Sequence, residues 1–420
     1  MAELGHGGKE IKERILGPEE AKKKIKGLTE YPIRSQLANE VIDITYGFFS
    51  PLEGFMGKAD VESVCKKMRL KDGKTVWSIP IIFDMSSEEI AKYGVKPKTS
   101  LVLTFNGNPM ALFEVEEVYE YDKKSMAKDV FGTDEAKHPG CARTYALKDK
   151  LVGGKITLVN KPKINQPYVP YFLPPLQLRK IFKEKGWKRI VAHQTRNVPH
   201  TGHEWLMKGA WFQTYGELPM DKPYVGVLVN AIIGEKRAGD YIDEAIILTQ
   251  DELRKAGYFG DHNHLTSLTF WDMRYAGPRE AVFHAALRTN LGLTHHMFGR
   301  DHAGVGTYYG PYDAHRMLGQ LVEKDLQIIP VYSENWLYCP HCGEITSESL
   351  CNHKKEWQKF SGTLIRSIVQ DGVKPPRLIF RPEVFDLVLE CAEKYGFGSP
   401  FVDAEYLKKR IPVFEIPPLK

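Results

Sequence analysis

Between residues 189 and 298 the chain alternates two hydrophobic patterns. Short apolar, β-branched runs at 189–193, 225–229, 267–271 and 295–298 are separated by helical patterns at 204–215, 240–255 and 278–290. Pro278 near the first turn, Glu280 just after it and Gly292 just past the end mark the bounds of the third helix. Strand and helix alternating at this spacing predict βαβ units and a parallel sheet. Such sheets carry their ligand sites at the carboxyl ends of the strands.

The first 168 residues read differently, as mixed, strand-rich structure. Residues 75–83 predict a strand with Pro80 at an edge or bulge. Residues 101–105 and 111–115 flank Gly107-Asn108-Pro109, a turn signal, and predict a hairpin. The proline-rich stretch 159–175 reads as a linker. Beyond residue 330 come clustered cysteines and then helical segments such as 381–395. The expected fold class is α/β, with a β-rich domain over 1–168, a parallel-sheet catalytic domain over 169–330 and a small α+β domain over 331–420. There are no internal repeats.

At 420 residues, two or three domains are expected. A net charge of +5 gives no bulk attraction to nucleic acid, so basic chemistry must be local. Residues 1–14 are polar and lack the apolar segment of a secretory signal, and no apolar run is long enough for a membrane span. Of six cysteines, Cys65, Cys141 and Cys391 are scattered, whereas Cys339, Cys342 and Cys351 cluster. That usage predicts a reducing compartment, the cytoplasm, with one metal site and no disulfide framework.

The first strand of the middle domain runs into Gln194-Thr195-Arg196-Asn197-Val198-Pro199-His200-Thr201-Gly202-His203. His-x-Gly-His at a strand-to-helix turn sets two imidazoles three apart at a helix start, where they face one way. Their N–H groups join the positive end of the helix dipole, a place suited to a phosphate chain. Gln194, Arg196 and Asn197 add two amides and a guanidinium fork, which favours planar oxyanion recognition. A second loop, Gly299-Arg300-Asp301-His302-Ala303-Gly304, follows a later strand. Arg274, Arg279 and Lys236 also fall near strand ends, so the sequence predicts cations at the carboxyl ends of four strands. A nucleoside triphosphate and a second oxyanion would need such a site.

Cys339-Pro340-His341-Cys342 followed by Cys351-Asn352-His353 suits a tetrahedral zinc site. The predicted ligands are Cys339, Cys342, Cys351 and His353, with His341 as the alternative fourth. Four protein ligands close the coordination sphere, so the zinc is expected to be structural.

The motif Gln194 to His203, then Met273-Arg274-Tyr275-Ala276-Gly277-Pro278-Arg279-Glu280, then Gly299 to Gly304, resembles the ATP sulfurylase family. So do Ser50-Pro51-Leu52-Glu53-Gly54-Phe55-Met56, Ser361-Gly362-Thr363-Leu364-Ile365-Arg366 and Arg381-Pro382-Glu383-Val384. The resemblance is to zinc-containing bacterial and archaeal members without a kinase domain. It implies a PUA-like N-terminal domain and a Rossmann-like nucleotidylyltransferase domain. It implies that sulfate is held by Gln194, Arg196 and the backbone of Ala303. ATP is then held by Gln194, Asn197, Gly299, Arg300, Asp301 and His302. Thr195, Arg196 and Asn197 become the active-site loop, and His200 and His203 stabilise the transition state. Mg²⁺ is implied with ATP, pyrophosphate and adenosine 5'-phosphosulfate as products, and a homo-oligomer (dimer or trimer) as the assembly.

Three rival readings account for less of the sequence. Another His-x-Gly-His nucleotidylyltransferase with a different acceptor shares the histidines but not Gln194–Asn197 or the Gly299 loop. A fused kinase is excluded, because Met68 stands where the first glycine of a phosphate loop ending at Gly73-Lys74-Thr75 belongs. RNA binding predicts a basic patch with stacking aromatics, which the sequence lacks.

Overall fold

The computed structural model describes residues 4–216, 224–322, 325–360 and 362–419; Ser361 of the 361–366 motif lies outside the described residues. The N-terminal region builds a six-stranded sheet from β1 (Thr29–Pro32), β2 (Gly54–Phe55), β3 (Phe83–Met85), β4 (Ser100–Phe105), β5 (Asn108–Tyr119) and β6 (Lys150–Leu158). The predicted hairpin is present as β4 and β5. Its turn sits at Asn106 and Gly107, both with positive φ, rather than at Gly107 to Pro109. Two left-handed residues are what a tight hairpin needs to match strand twist.

The strand expected over 75–83 does not form; only Val76 makes a bridge, with Arg69, and β3 begins at Phe83. The side chains of Val76, Trp77, Ile79 and Ile81 are buried as the pattern required. Their backbone groups, however, bond outside any ladder: Val76 O meets the His6 ring, Ile79 O accepts from Trp77 Nε1 and Ile81 O from Met56 N. Buried carbonyls need partners, but those partners need not be strands.

The stretch 159–175 is not a free linker. It contains β7 (Lys163–Ile164), paired with residues 414–415, and Tyr171 is buried with its hydroxyl on Asp251 at 3.0 Å.

The middle region is the predicted parallel sheet, made of β8 (Arg189–Thr195), β9 (Val225–Ile233), β10 (His264–Phe270), β11 (His295–Phe298) and β12 (Ile329–Tyr332). The strand order is β10-β9-β8-β11-β12, all parallel. Every residue of β9 is buried, as expected for a strand covered on both faces. Helices Thr201–Tyr215, Asp243–Lys255 and Pro278–Asn290 are the crossovers. The order reverses between β8 and β11, and loops leaving these strands diverge there, which opens a crevice.

One continuous apolar core joins the two regions. At their junction Phe49 packs edge-on against Trp271 and Phe283, and Trp77 against Phe283, with centroids 5.4–5.8 Å apart. Each such pair contributes about 0.5–1.5 kcal/mol beyond area burial. The C-terminal region adds a three-stranded sheet of β13 (Trp336–Cys339), β14 (Glu344–Ser347) and β15 (Gln358–Lys359), then helix Pro382–Tyr395. Among the described residues no helix is long and apolar enough to cross a membrane.

Candidate active site and metal centre

β8 ends at Thr195, and helix Thr201–Tyr215 starts after five intervening residues. Thr195 Oγ1 accepts the amide of Asn197 at 3.0 Å and so folds the intervening loop. His200 is the helix cap: its Nδ1 accepts the amide of Gly202 at 3.1 Å. Nδ1 therefore carries no proton, and Nε2 is the donor. The rings of His200 and His203 lie 3.9 Å apart, centroid to centroid. Burial lowers His203 to about 4 against the Val198 carbonyl, and holds His200 well below its ordinary value. Both imidazoles are neutral at pH 7 and donate through one N–H each. Gly202 sits in tight space: a Cβ there would stand 3.0 Å from His200 Cε1 and 3.1 Å from Phe360 Cδ2, so both rings would have to give by a few tenths of an ångström.

His200, His203 and Asn197 line a cavity of about 540 Å³, together with Gly299 and Arg300 from the loop after β11. The two predicted loops thus meet at the switch point. The far wall comes from Trp336, Phe360 and Arg366 of the C-terminal region. Arg366 belongs to a motif noted in the sequence. Trp336 and Phe360 carried no signal in the sequence beyond being aromatic near the cysteines.

Other predicted residues stand apart from this cavity. Asp301 and His302 line a smaller cavity of about 210 Å³ on the Pro278 side. His302 is within 3.0 Å of His284, and burial lowers it to about 3. Gln194 Nε2 lies 3.0 Å from His284 Nδ1, and its Oε1 is buried without a partner. Arg300 pairs with Asp301 at 3.3 Å. Arg196 is held by Glu235 O, Asp240 and the Tyr275 hydroxyl. Tyr275, Asp301 and Ala303 all have positive φ, 54–59°. Left-handed non-glycine residues cost about 1–3 kcal/mol each and cluster at functional sites. Gly277 N donates to Ala303 O at 3.1 Å, tying the two strained loops together.

The extra cations expected at strand ends are not free for a ligand. Lys236 is buried against Asp243 at 2.7 Å, Arg274 against Glu40, and Arg279 donates to the carbonyls of Val64 and Cys65. The sequence could not reveal these partners, because each lies far along the chain or behind a turn. A cavity of about 710 Å³ between the N-terminal region and the ends of β9 and β10 is larger than the histidine cavity. Its arginines and lysines are likewise paired, as in Arg34 with Asp84 at 2.6 Å, so size does not identify the site.

In the metal centre, Cys339, Cys342, Cys351 and His353 bring their ligand atoms within 4.8 Å of one another. His353 Nδ1 is 3.7, 3.3 and 3.5 Å from the three sulfurs in turn, and Cys342 Sγ is 3.8 Å from Cys351 Sγ. A tetrahedral zinc needs ligand atoms about 3.5–3.8 Å apart, so the set fits. His341 stacks on His353 but faces Glu356 with Nδ1. The indole of Trp357 and the amides of Cys342 and His353 point at the sulfurs, as outer-shell donors do around bound thiolates. The Trp357 N–H is the main cause that lowers Cys351 to about 6.

A doubly wound parallel sheet with paired imidazoles and an arginine at its switch point suits phosphate groups, and the class it points to is that of nucleotidyltransferases. Residues 169–391 match the family model described as ATP-sulfurylase, and residues 4–161 match that of a PUA-like domain. The chain belongs to the ATP-sulfurylase family. It is 38% identical to a protein of Archaeoglobus fulgidus named sulfate adenylyltransferase, over 98% of both chains. Proteins of the same name from Hyperthermus butylicus and Pyrococcus abyssi are 40% and 39% identical over 96% of this chain and 99% and 100% of theirs. A solved structure, a hexameric APS kinase from Thiobacillus denitrificans, superposes with TM-score 0.69 at 19% identity. It covers 92% of this chain and 68% of that one. At that identity the likeness is one of fold.

Proposed function

We propose that the protein is a sulfate adenylyltransferase that joins sulfate to the α-phosphate of MgATP, giving adenosine 5'-phosphosulfate and pyrophosphate, reversibly. The observation that carries this reading is the pair His200 and His203, 3.9 Å apart at a helix start and facing one cavity with Asn197, Gly299 and Arg300. Sulfate has no proton to lose at neutral pH, so no general base is assigned. Rate enhancement then comes from alignment and from donors aimed at developing charge. Gln194, Arg196 and the Ala303 backbone hold sulfate. Gln194, Asn197, Gly299, Arg300, Asp301 and His302 hold the nucleotide; the last two need the Gly299 loop to turn toward it. Thr195 folds the loop that presents Arg196 and Asn197. His200 Nε2–H donates to the phosphates as pyrophosphate leaves, and His203 donates beside it once its N–H turns from the Val198 carbonyl. Magnesium, held mainly by phosphates and water, neutralises phosphate charge.

Cys339, Cys342, Cys351 and His353 hold a structural zinc in this reading. The chain is read as three domains, 1–168, 169–330 and 331–420, with β12 (Ile329–Tyr332) carrying the middle sheet two residues past the second boundary; it works as a homo-oligomer and resides in the cytoplasm. The test is pyrophosphate release from MgATP with and without sulfate, on wild type and Arg196→Ala. Release that requires sulfate and is lost in the variant supports the reading. ATP binding without sulfate-dependent release would redirect it to another acceptor.

A further inference from the structure

Arg196 is the guanidinium on which oxyanion capture rests in the function proposed above, and the inference drawn here depends on that assignment. A guanidinium offers two two-pronged edges, Nε with Nη2 and Nη1 with Nη2. Both use Nη2. In the structure Nη2 already donates to Glu235 O at 2.9 Å and to Asp240 Oδ2 at 3.2 Å, while Nη1 reaches the Tyr275 hydroxyl at 3.3 Å. Both Nη2 hydrogens are taken, so neither edge is open to a bidentate oxyanion. One of the two acceptors must leave before the fork can close on a substrate.

The two acceptors are not equally able to move. Glu235 O is backbone two residues past the end of β9. Its own amide donates to Asp272 Oδ1, and its carboxylate pairs with Arg143. Asp240 sits in a turn after Gly239, whose φ is +85°, and its side chain is 28% exposed. A change of rotamer frees its carboxylate from Arg196 without moving the chain. Oδ2 also accepts the amide of Arg237 at 3.0 Å, which stations the carboxylate beside the guanidinium until it is displaced.

We propose that Asp240 is the resident counter-anion of Arg196: a carboxylate that occupies the oxyanion position and yields it to a doubly charged substrate. A carboxylate carries one negative charge. A tetrahedral dianion outcompetes it at the fork, and a singly charged oxyanion such as nitrate competes on equal terms and gains little. Asp240 therefore sets the affinity of the fork: its displacement weakens every oxyanion by the same factor, and only a strongly bound dianion fills the site at low concentration.

The test uses the full-length enzyme and its Asp240→Asn and Asp240→Ala variants. Initial rates of pyrophosphate release are measured over a range of sulfate, then with nitrate as inhibitor. Removing the competing charge is expected to lower the KM for sulfate about tenfold, leave the KM for MgATP unchanged and lower the Ki of nitrate by a similar factor. Melting temperatures establish that the variants are folded, and the two must shift the sulfate KM in the same direction. A sulfate KM that rises or stays put in both variants makes Asp240 a fixed orienting group and overturns the proposal alone. Wild-type enzyme that releases no pyrophosphate on adding sulfate overturns the parent reading, and this one with it.

Discussion

Arg274 donates to the carboxylate of Glu40 across the junction of the two large domains, with side chains only 8% and 3% exposed. Glu40 comes from helix Ser35–Thr45 under the N-terminal sheet, and Arg274 from the loop that also carries Tyr275. Burial raises Glu40 above the ordinary carboxylate range, and Arg274 is the chief opposing influence. The pair fixes the loop behind Arg196. Glu40→Ala leaves a buried guanidinium uncompensated, and a loss of about 3–5 kcal/mol is expected. Urea unfolding measures it, and Glu40→Gln, which keeps an acceptor, should lose less.

His200 both caps a helix and faces the cavity, and the two jobs can be separated. Asparagine is a good cap but does not reproduce the Nε2–H. His200→Asn should melt within a few degrees of wild type while kcat for sulfate-dependent pyrophosphate release falls about 10²–10³-fold. A variant that loses activity only in proportion to its stability would reduce His200 to a cap.

The histidines give the fold an acid limit. His193, His203 and His302 are lowered by burial from 6.5 to about 3, 4 and 3. Below pH 6.5 the unfolded chain binds protons that the folded chain refuses. Stability is therefore full above pH 6.5 and declines as pH falls toward about 4. Midpoints of urea denaturation between pH 8 and 4.5 should be flat at first and then drop. Replacing buried His193 with phenylalanine should shallow the drop; an unchanged slope would show that other groups dominate.

Metal content is the simplest check on the Cys339 to His353 cluster. Zinc measured on purified protein should be close to stoichiometric with chain, and should be lost in Cys342→Ser or on chelation with a fall in melting temperature. Protein that is folded, stable and metal-free with all four side chains intact would rule out the structural role.

Much of this was legible in the chain. The β8 to β11 units and the three crossover helices follow from a pattern of short apolar runs and periodic segments, because a buried parallel sheet leaves little freedom in what its strands are made of. The meeting of the His200 and Gly299 loops was legible for the same reason, since parallel strands send their loops to one edge. What escaped is what depends on distant partners. Arg274, Arg279 and Lys236 looked like ligand-binding cations, and each is neutralised or bonded by a group that no local pattern announces. Residues 75–83 had a strand's composition, but side chains and loops from elsewhere took their carbonyls. Trp336 and Phe360 border the cavity, and Asp240 meets Arg196, through tertiary packing alone.

β13 is four residues long, with Trp336 against the cavity at one end and Cys339 in the metal cluster at the other. Trp336 stacks on Trp205 with centroids 5.7 Å apart, and its ring fills the space that a side chain at position 209 would take. The strand thus ties the cavity wall to the cysteine cluster: an ion held by Cys339 would fix the indole pair through it, and ultraviolet emission would then serve as an optical gauge of metal loading. The fraction of molecules with a finished cavity wall would then follow the supply of a trace element as well as the supply of substrate.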